Sequence, residues 1–380
     1  MRGTRPGQII PKGKGKWLVK VFKGRDGDGR RKYVSELVHG GKKDAERVLM
    51  NKLKEKNEGT LTVRPKGTLS EYLDTWLETT AQPSVRPRTM CDYTRVVKSY
   101  IKPHLGGARL GRLTSVEVRG MLVRLREQGL APRTVRMAHE VLRNALEQAV
   151  SDRLLPDNPA RSSKIKKALP QKLRKHQVTI RSDQVANFLD VAEGDRLQAF
   201  WVLQLMAGLR PSEGLALRWS DVTENAVHIT RVLVDDRSGG DLYFAPPKSE
   251  SSRRAVVVPD VVVQVLKEHR PRQAQEQLAA GPEWRDSGLI FCTPTGEPLR
   301  QDYVRRCFKK LARAAELPTE LTPYSLRHSC ASLLLQRNVP LKVVSERLGH
   351  ASIALTADTY SHVHPSMQKQ AADVMGELAG

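Results

Sequence analysis

Residues 321–332 read LTPYSLRHSCAS, and this stretch decides how the C-terminal half of the chain is interpreted. Proline directly after threonine is typical of the first turn of a helix, where the missing proline N–H group is not needed. In a helix that begins there, Tyr324 and Arg327 are three residues apart and share one face. The sequence therefore predicts a helix start that carries a phenol and a guanidinium side by side.

Residues 207–214 read AGLRPSEG and predict a second turn into a helix. Pro211 suits the first helical position, so Arg210 lies at a helix start, where free backbone N–H groups attract anions. Glu213 follows three residues later, within reach of the guanidinium of Arg210. By itself this pattern fits a surface Arg–Glu pair equally well.

A basic loop and a polar tyrosine segment complete the set of local patterns. Residues 246–254 read PPKSESSRR between two β-rich stretches, which predicts that Lys248 lies on a hairpin or its loop. Residues 348–353 read LGHASI, and residues 356–362 read TADTYSH. Tyr360 stands in a polar stretch that is an unusual place for a core residue, and an ordinary surface aromatic is the alternative.

Charge is the strongest compositional feature of the chain. Its 380 residues include 64 Lys and Arg against 41 Asp and Glu, a net charge of +23, which indicates a polyanionic partner, most simply nucleic acid. Residues 1–66 hold 19 of these basic residues against 7 acidic ones, a net charge of +12. No run of about 18 uncharged apolar residues exists, so no membrane span is predicted. No apolar segment follows the basic N-terminus, which argues against a secretory signal.

Cysteine usage indicates a reducing compartment. The four cysteines form no CxxC pair and no zinc pattern, so they are predicted to be reduced thiols of a cytosolic protein. The sequence offers no metal-ligand cluster and no phosphate-binding glycine loop, so neither a metal nor a cofactor is predicted.

The patterning predicts a multidomain chain, mainly α with small β elements. In residues 1–66, two strand-like stretches at 16–22 (KWLVKVF) and 31–38 (RKYVSELV) flank a glycine-rich turn, and residues 42–58 follow as a helix. This predicts a small β-sheet plus helix. A two-stranded ribbon can enter the major groove of DNA, and a solvated basic surface is the alternative.

The rest of the chain divides into three further parts. Residues 67–160 predict four short helices in a bundle. Residues 161–177 (RSSKIKKALPQKLRKHQ) hold seven Lys and Arg and no acid, which favours a basic interdomain linker along DNA phosphates over a solubilising connector. Residues 178–380 predict a mixed α/β unit, mostly helical, with a final helix at 366–378.

These patterns, in this order, resemble the tyrosine recombinase family, the phage-type integrases. The family pattern is G-L-R-x-x-E, a hairpin lysine, H-x-L-R-H, L-G-H and a T-x-x-x-Y-S-H-like segment. The gaps of 23 residues from Arg327 to His350 and of 10 from His350 to Tyr360 also fit. The helical bundle resembles the family's core-binding domain, the N-terminal module resembles its arm-type DNA-binding domain, and the third unit resembles its catalytic domain.

The resemblance implies a role for each matched residue. Tyr360 would be the nucleophile that attacks the scissile phosphorus, forms a 3′-phosphotyrosyl link and frees a 5′-hydroxyl, which conserves the phosphodiester energy. Arg210 and Arg327 would clamp the phosphate oxygens, with Glu213 supporting Arg210, and His350 would add a hydrogen-bond donor.

Two assignments stay open at this point. Lys248 is implied as the general acid for the departing 5′-oxygen, with Arg253 and Arg254 as nearby competitors. Tyr324 stands where the family usually has a histidine, and a phenol has a reference pKa of about 10 against about 6.5 for imidazole. Tyr324 is therefore predicted to contact a phosphate oxygen rather than remove the proton of Tyr360, and the general base is unassigned.

The implied partner is double-stranded DNA with core-type and arm-type attachment sites, bound by a homotetramer, with an excisionase and a host DNA-bending protein as further partners. The predicted function is integration, and also excision, of a mobile element such as a prophage or conjugative element in the cytoplasm of a bacterial host. A non-catalytic DNA-binding regulator and a type IB topoisomerase-like enzyme are the alternatives. The final helix packs on its own domain or docks on a neighbouring subunit.

Overall fold

The computed structural model describes residues 7–25, 27–57, 67–171, 177–235, 242–360, 372–373 and 375–377. The chain divides into two compact units, residues 1–174 and 175–380. Helices dominate and the sheets are small and antiparallel, which confirms the predicted fold class. Within the described residues, no helix combines the length and the apolar character needed to cross a bilayer.

A three-stranded sheet covered by one helix opens the first unit. Its elements are β1 (Gly7–Gly13), β2 (Lys16–Arg25), β3 (Arg31–His39) and α1 (Lys42–Asn57), with β2 in the centre. Alternate residues of the strands face the helix and form its small core, namely Val19, Val21, Val34 and Val38. Asp26, in the predicted turn, lies outside the described residues.

The helical part of the first unit buries an extensive apolar core. Its helices are α2 (Leu69–Trp76), α3 (Gln82–Ser84), α4 (Pro87–Val96), α5 (Lys102–Leu105), α6 (Ser115–Glu127), α7 (Pro132–Ser151) and α8 (Ser163–Ala168). Two π-helical turns, Leu77–Ala81 and Val97–Ile101, join α2 to α3 and α4 to α5. Thr68 and Thr114 begin α2 and α6 with reciprocal capping boxes, which satisfy backbone N–H groups at each helix start.

Part of the basic stretch predicted as a linker belongs to this bundle. Residues 163–168 form α8, and Ile165 is fully buried in the same core as α6 and α7. Arg161 forms an ion pair with Glu147 at 3.1 Å. Residues 172–176 lie outside the described ranges, and the domain boundaries stay a prediction.

The described residues of the second unit up to Tyr360 form eight α-helices, together with short 3-10 turns and two small two-stranded sheets. The helices are α9 (Val185–Ala192), α10 (Gln198–Ala207), α11 (Pro211–Gly214), α12 (Asp260–Ala280), α13 (Gln301–Ala314), α14 (Pro323–Gln336), α15 (Leu341–Leu348) and α16 (Ile353–Tyr360). The strands are β4 (Ala226–Ile229), β5 (Val232–Asp235), β6 (Leu242–Ala245) and β7 (Arg254–Val257). β4 pairs with β7, and β5 pairs with β6.

Helix α10 forms the centre of this unit because almost every one of its residues is buried. It packs against α12 and α14. The ring of Trp201 contacts those of Phe200 and Phe308, and Phe200 in turn contacts Phe291. This rigid core fixes the starting points of the helices that carry the motifs.

The final helix predicted at 366–378 lies largely outside the described residues. Only positions 372–373 and 375–377 are described, and they are helical and exposed. Whether this segment acts within its own chain or on a neighbour stays a prediction.

Helix α6 provides a direct test of the bundle core. Leu122 is fully buried, whereas its neighbour Val123 is 40% exposed. We expect Leu122→Ala to lower the free energy of unfolding of the bundle by about 2–5 kcal/mol, because it removes buried methyl groups and leaves a cavity. Val123→Ala should change it by less than about 0.5 kcal/mol. Hydrogen exchange of the α6 and α7 amides in the full chain measures both, and equal effects would contradict the assigned face.

Candidate active site

Arg210 and Glu213 begin and anchor the short helix α11. The backbone N–H of Arg210 donates to Glu213 Oε2 at 2.9 Å, and Arg210 Nη1 donates to Glu213 Oε1 at 2.6 Å. The Glu213 side chain is fully buried, while that of Arg210 is 28% exposed. The carboxylate thus holds one end of Arg210 and leaves the guanidinium open on one side.

Arg254, at the first position of β7, is a second partner of the same carboxylate. Its Nη2 donates to Glu213 Oε2 at 3.0 Å, and its Nε donates to the carbonyl oxygen of Arg347 at 2.6 Å. Nη1 donates to the carbonyl oxygen of Ser252 at 3.0 Å. One guanidinium therefore ties α11, the β6–β7 connection and the end of α15 together.

Burial and charge act in opposite directions on Glu213. Burial alone would raise the pKa of its carboxyl group, but the charges and hydrogen bonds of Arg254 and Arg210 outweigh burial and hold that pKa below its ordinary value. Glu213 is therefore ionised at neutral pH. Two cations share a single buried anion, so the group as a whole keeps a positive charge.

Arg327 lies in the first turns of α14 and is 1% exposed. Its Nη1 donates to the carbonyl oxygen of Gly208 at 2.9 Å, and its Nη2 donates to that of Leu348 at 2.6 Å. Burial, and next the charge of Arg210, lower the pKa of Arg327 to about 10, so it stays protonated at neutral pH. Two of its five N–H groups thus connect the motifs at residues 207–214 and 348–353.

Two glycines make these carbonyl contacts geometrically accessible. Gly208 ends α10 and Gly349 ends α15, and both have left-handed backbones with φ of +67° and +64°. A Cβ at Gly208 would lie 2.9 Å from Leu348 Cδ2, and one at Gly349 would lie 2.9 Å from Arg254 Nη1. The positive φ favours glycine at both positions, and at Gly349 a Cβ would also lie 2.9 Å from the backbone oxygen of Ser251.

His350 directly follows the two carbonyls that the arginines hold. Arg210 Nη2 donates to the carbonyl oxygen of Gly349 at 3.2 Å, one residue beyond the Leu348 carbonyl that binds Arg327. His350 Nδ1 lies 2.7 Å from Thr356 Oγ1. Burial, followed by the charges of Arg327 and Arg210, lowers the pKa of His350 to about 4, so its imidazole is neutral at pH 7.

Tyr324 lies on the open side of the site. It is 42% exposed, and its ring meets that of His328 edge-on with centroids 5.0 Å apart. Tyr324 and Arg210 line one open cavity of about 280 Å³, together with Arg305 and Gln301 of α13. The phenol and the first arginine therefore face the same space.

Lys248 and Tyr360 are less closely tied to this group. Lys248 is exposed and precedes a turn, Glu250–Ser252, whose Ser252 Oγ lies 3.5 Å from Arg210 Nη1. Tyr360 is the last residue of α16. The placement of its side chain lies outside what the structure describes, as do Ser361 and His362 of the same motif.

The sequence did not reveal the roles of Arg254 and Thr356. Arg254 appeared only as a competitor of Lys248, yet it alternates with the buried Val256 of its strand and with the buried Val258 directly after the strand. A basic residue in phase with buried valines is a signal for an internal ion pair. Thr356 is fully buried, and its position in a polar segment gave no indication of this. Among the described residues, no group of three or more His, Cys, Asp or Glu side chains could hold a metal ion.

Two family models match parts of the chain. The model of the phage integrase family matches residues 178–367. The model of the phage integrase N-terminal SAM-like domain matches residues 68–125.

Curated relatives match over nearly the full length. A protein named tyrosine recombinase XerC-like from Caldanaerobacter subterraneus subsp. tengcongensis is 30% identical, and the match covers 97% of this chain and 98% of the relative. An integrase from Streptomyces ambofaciens is also 30% identical, with 95% and 93% covered. The resemblance predicted from the motifs is confirmed.

Solved structures share the fold. The Tn1549 transposon integrase in complex with transposon right end DNA has a TM-score of 0.69 at 19% identity, covering 82% of this chain and 100% of that one. The lambda integrase tetramer bound to a Holliday junction has a TM-score of 0.57 at 18% identity, with 94% and 96% covered.

The ion pairs of Glu213 give a first test of the site. Arg254→Gln leaves the buried carboxylate with one charged partner, and we expect the free energy of unfolding to fall by about 3–5 kcal/mol. Arg253→Gln, at the exposed neighbouring position, should change it by less than about 0.5 kcal/mol. Urea denaturation of the full chain, followed by tryptophan fluorescence, measures both. Equal losses would show that Arg254 does not hold Glu213.

The neutral histidines predict a pH dependence. Burial, and next the charge of Arg327, lower the pKa of both His328 and His350 from the ordinary 6.5 to about 4. Between these values the unfolded chain binds more protons than the folded chain, so the free energy of unfolding should fall as pH drops from about 6.5 to about 4. Chemical denaturation at several pH values measures the slope. His350→Gln should reduce the slope, because His328 still contributes, and an unchanged slope would contradict the assignment.

Proposed function

The chain belongs to the phage integrase family and is a tyrosine recombinase, and we propose that it integrates and excises a mobile element through a 3′-phosphotyrosyl intermediate. The observation that carries the proposal is the meeting of three motifs at two consecutive carbonyls. Arg327 binds the carbonyl of Leu348, Arg210 binds that of Gly349, and His350 follows. The motif of Arg210 lies more than a hundred residues before those of Arg327 and His350, yet the three form one cationic group.

This group suits the transition state of phosphoryl transfer. Attack on a phosphodiester puts additional negative charge on the non-bridging oxygens, and fixed guanidinium and imidazole donors stabilise that charge most when they need no reorganisation. Arg210 supplies a partly exposed guanidinium already fixed by Glu213. Arg327 and His350 supply further donors from the two other motifs. The geometry supports binding of one phosphate rather than a long polyanion at this point.

Tyr360 is the proposed nucleophile. Its phenolic oxygen bonds to the scissile phosphorus as the bond from phosphorus to the 5′-oxygen breaks, and the 5′-oxygen takes up a proton. The 5′-hydroxyl of a partner strand then reverses the step and releases Tyr360, so the phosphodiester energy is retained. The position of Tyr360 at the end of α16, ten residues after His350, supports this role.

Lys248 and Tyr324 take the two remaining roles. Lys248, exposed beside the turn that touches Arg210, protonates the departing 5′-oxygen. Tyr324 donates a hydrogen bond to a phosphate oxygen, a role supported by the cavity whose lining it shares with Arg210. The general base for Tyr360 is unassigned, since a phenol at this position is a poor base.

The proposed partner is double-stranded DNA read at two classes of site. The sheet and helix of residues 7–57 bind arm-type sites, and the helical bundle binds core-type sites with the catalytic unit. The net charge of +12 in residues 1–66 supports the first assignment. By analogy with the lambda integrase tetramer on a Holliday junction, four copies act together. An excisionase and a host DNA-bending protein complete the proposed set, in the cytoplasm of a bacterial host.

Two other functions share part of these features. A type IB topoisomerase would use a similar group of residues, and a regulator would need only the DNA-binding parts. The separate basic N-terminal module favours recombination between defined sites over general relaxation. The joined arginine and histidine motifs favour catalysis over binding alone.

Tyr360→Phe tests the proposed reaction. On a core-site duplex with a nick beside the cleavage position, the wild-type chain should become trapped because the short 5′-hydroxyl strand diffuses away. The Tyr360→Phe variant should form no covalent complex, since it lacks the attacking oxygen, while binding the same duplex with unchanged affinity. Denaturing electrophoresis of labelled DNA measures capture, and a mobility shift measures binding.

Tyr303→Phe, which changes an exposed tyrosine on α13, is the matched control and should be captured like wild type. Trapping of DNA by the Tyr360→Phe variant would overturn the assignment of the nucleophile. A plasmid carrying two attachment sites, identified by sequencing the DNA beside the coding region, separates the alternatives. Exchange between the sites supports the recombinase, whereas relaxation without exchange supports a topoisomerase.

A further inference from the structure

Thr356 makes an unusual side-chain contact at the edge of the site. It is fully buried in α16, and its Oγ1 lies 2.7 Å from Nδ1 of His350. We propose that Thr356 is a positioning residue whose hydroxyl holds His350 in the tautomer with its hydrogen on Nε2, so that Nε2–H is the donor offered to the DNA phosphate. The inference deepens the proposed function and rests on it.

The available hydrogen-bond donors and acceptors at this contact indicate the tautomer of His350. A buried hydroxyl hydrogen needs an acceptor. Among the described residues, His350 Nδ1 is the one group that forms a hydrogen bond with Thr356 Oγ1. If the hydroxyl donates to Nδ1, that nitrogen carries no hydrogen, and a neutral imidazole then carries its single hydrogen on Nε2.

The opposite tautomer would leave a polar hydrogen unsatisfied. With hydrogen on Nδ1, the threonine oxygen would accept, and the buried hydroxyl hydrogen would have no acceptor among the described residues. An unpaired buried donor is unfavourable. The same count disfavours the imidazolium, which carries hydrogens on both nitrogens.

The surrounding charges act in the same direction. Among the described residues, the charges of Arg327 from α14, Arg210 before α11 and Arg254 from β7 act on His350, and so does the titratable His328. The three guanidiniums oppose a further positive charge. Above about pH 4 the imidazole is therefore neutral, and its ability to donate a hydrogen bond to a phosphate depends on which nitrogen carries the hydrogen.

A second threonine in the same helix shows that this contact is not a general property of the segment. The hydroxyl of Thr359 donates to the carbonyl oxygen of Leu355, four residues earlier, at 2.6 Å. That is the ordinary contact of a helical threonine. Thr356 instead reaches out of its helix to His350, and it lies one turn before Tyr360. The bond thus also connects the helix of the nucleophile to the motif at residues 348–353.

Nuclear magnetic resonance of the DNA-free full chain tests the tautomer without any catalysis. In a chain carrying ¹⁵N-labelled histidine, with His350 assigned by loss of its signals in His350→Gln, the ring nitrogens should show a protonated Nε2 and an unprotonated Nδ1 at pH 7. Thr356→Val, which removes the hydroxyl at nearly constant volume, should move the signals towards the other tautomer. A protonated Nδ1 in the wild-type chain overturns the proposal, whether or not the variant folds.

Single-turnover capture on the nicked duplex tests the consequence. Thr356→Val should react roughly tenfold more slowly, because one oriented hydrogen bond is lost, with DNA affinity unchanged. Thr356→Ser restores the hydroxyl and should recover to within about twofold of wild type. Thr359→Val is the matched control and should react at the wild-type rate. Reaction of Thr356→Val at the wild-type rate, or equally slow reaction of Thr356→Val and Thr356→Ser, overturns the proposal.

The two levels of the hypothesis fail in different experiments. If the Tyr360→Phe variant still trapped DNA, Tyr360 would not be the nucleophile, but the tautomer measurement would remain valid. If His350 showed the other tautomer while Tyr360→Phe still lost capture, the proposed role of Thr356 would be wrong. The assignment of the chain as a recombinase with Tyr360 as nucleophile would stand.

Discussion

The buried carboxylate of Glu213 is the constraint on which the rest of the catalytic unit depends. It lies between Arg210 and Arg254, which donate to it at 2.6 Å and 3.0 Å. Removing a carboxylate from water is unfavourable unless charged partners compensate for it, so α11 and β7 must both approach it. Once they do, Arg210 is fixed in the orientation that leaves its outer side open, and Arg254 connects to the end of α15.

Backbone carbonyls hold the remaining arginine contacts of the site. Arg327 reaches the carbonyls of Gly208 and Leu348, and Arg210 reaches that of Gly349. Each carbonyl lies at or beside the end of a helix, where carbonyls have no partner within the helix. The arginines therefore satisfy helix ends and bring His350 into place with the same bonds. A cationic group that would otherwise repel itself is held by one carboxylate and several oriented dipoles.

Much of the architecture could be predicted from local sequence. The helix starts at Pro211 and Pro323 follow from proline and capping chemistry, and the amphipathic periods gave the helices of both units. The motif spacing brought Arg210, Arg327 and His350 into one hypothesis. Local patterns could not reveal that Ile165 packs into the bundle, since a short basic stretch with one apolar residue has no period to detect. The structure does not describe the side chain of Tyr360, so its role is argued from its position in the sequence and from the proposed reaction.

The sequence by itself determined the net charge, the order of the motifs and the residue types that suit phosphate chemistry, because composition, spacing and side-chain chemistry are properties of the chain alone. Only the tertiary structure decided which cations share Glu213, which carbonyls receive the arginines and which hydroxyl meets His350. Arg254 and Thr356 acquired their positions through contacts with residues far along the chain or in another element. Such contacts depend on how buried polar groups satisfy one another in three dimensions, and no local pattern encodes that choice.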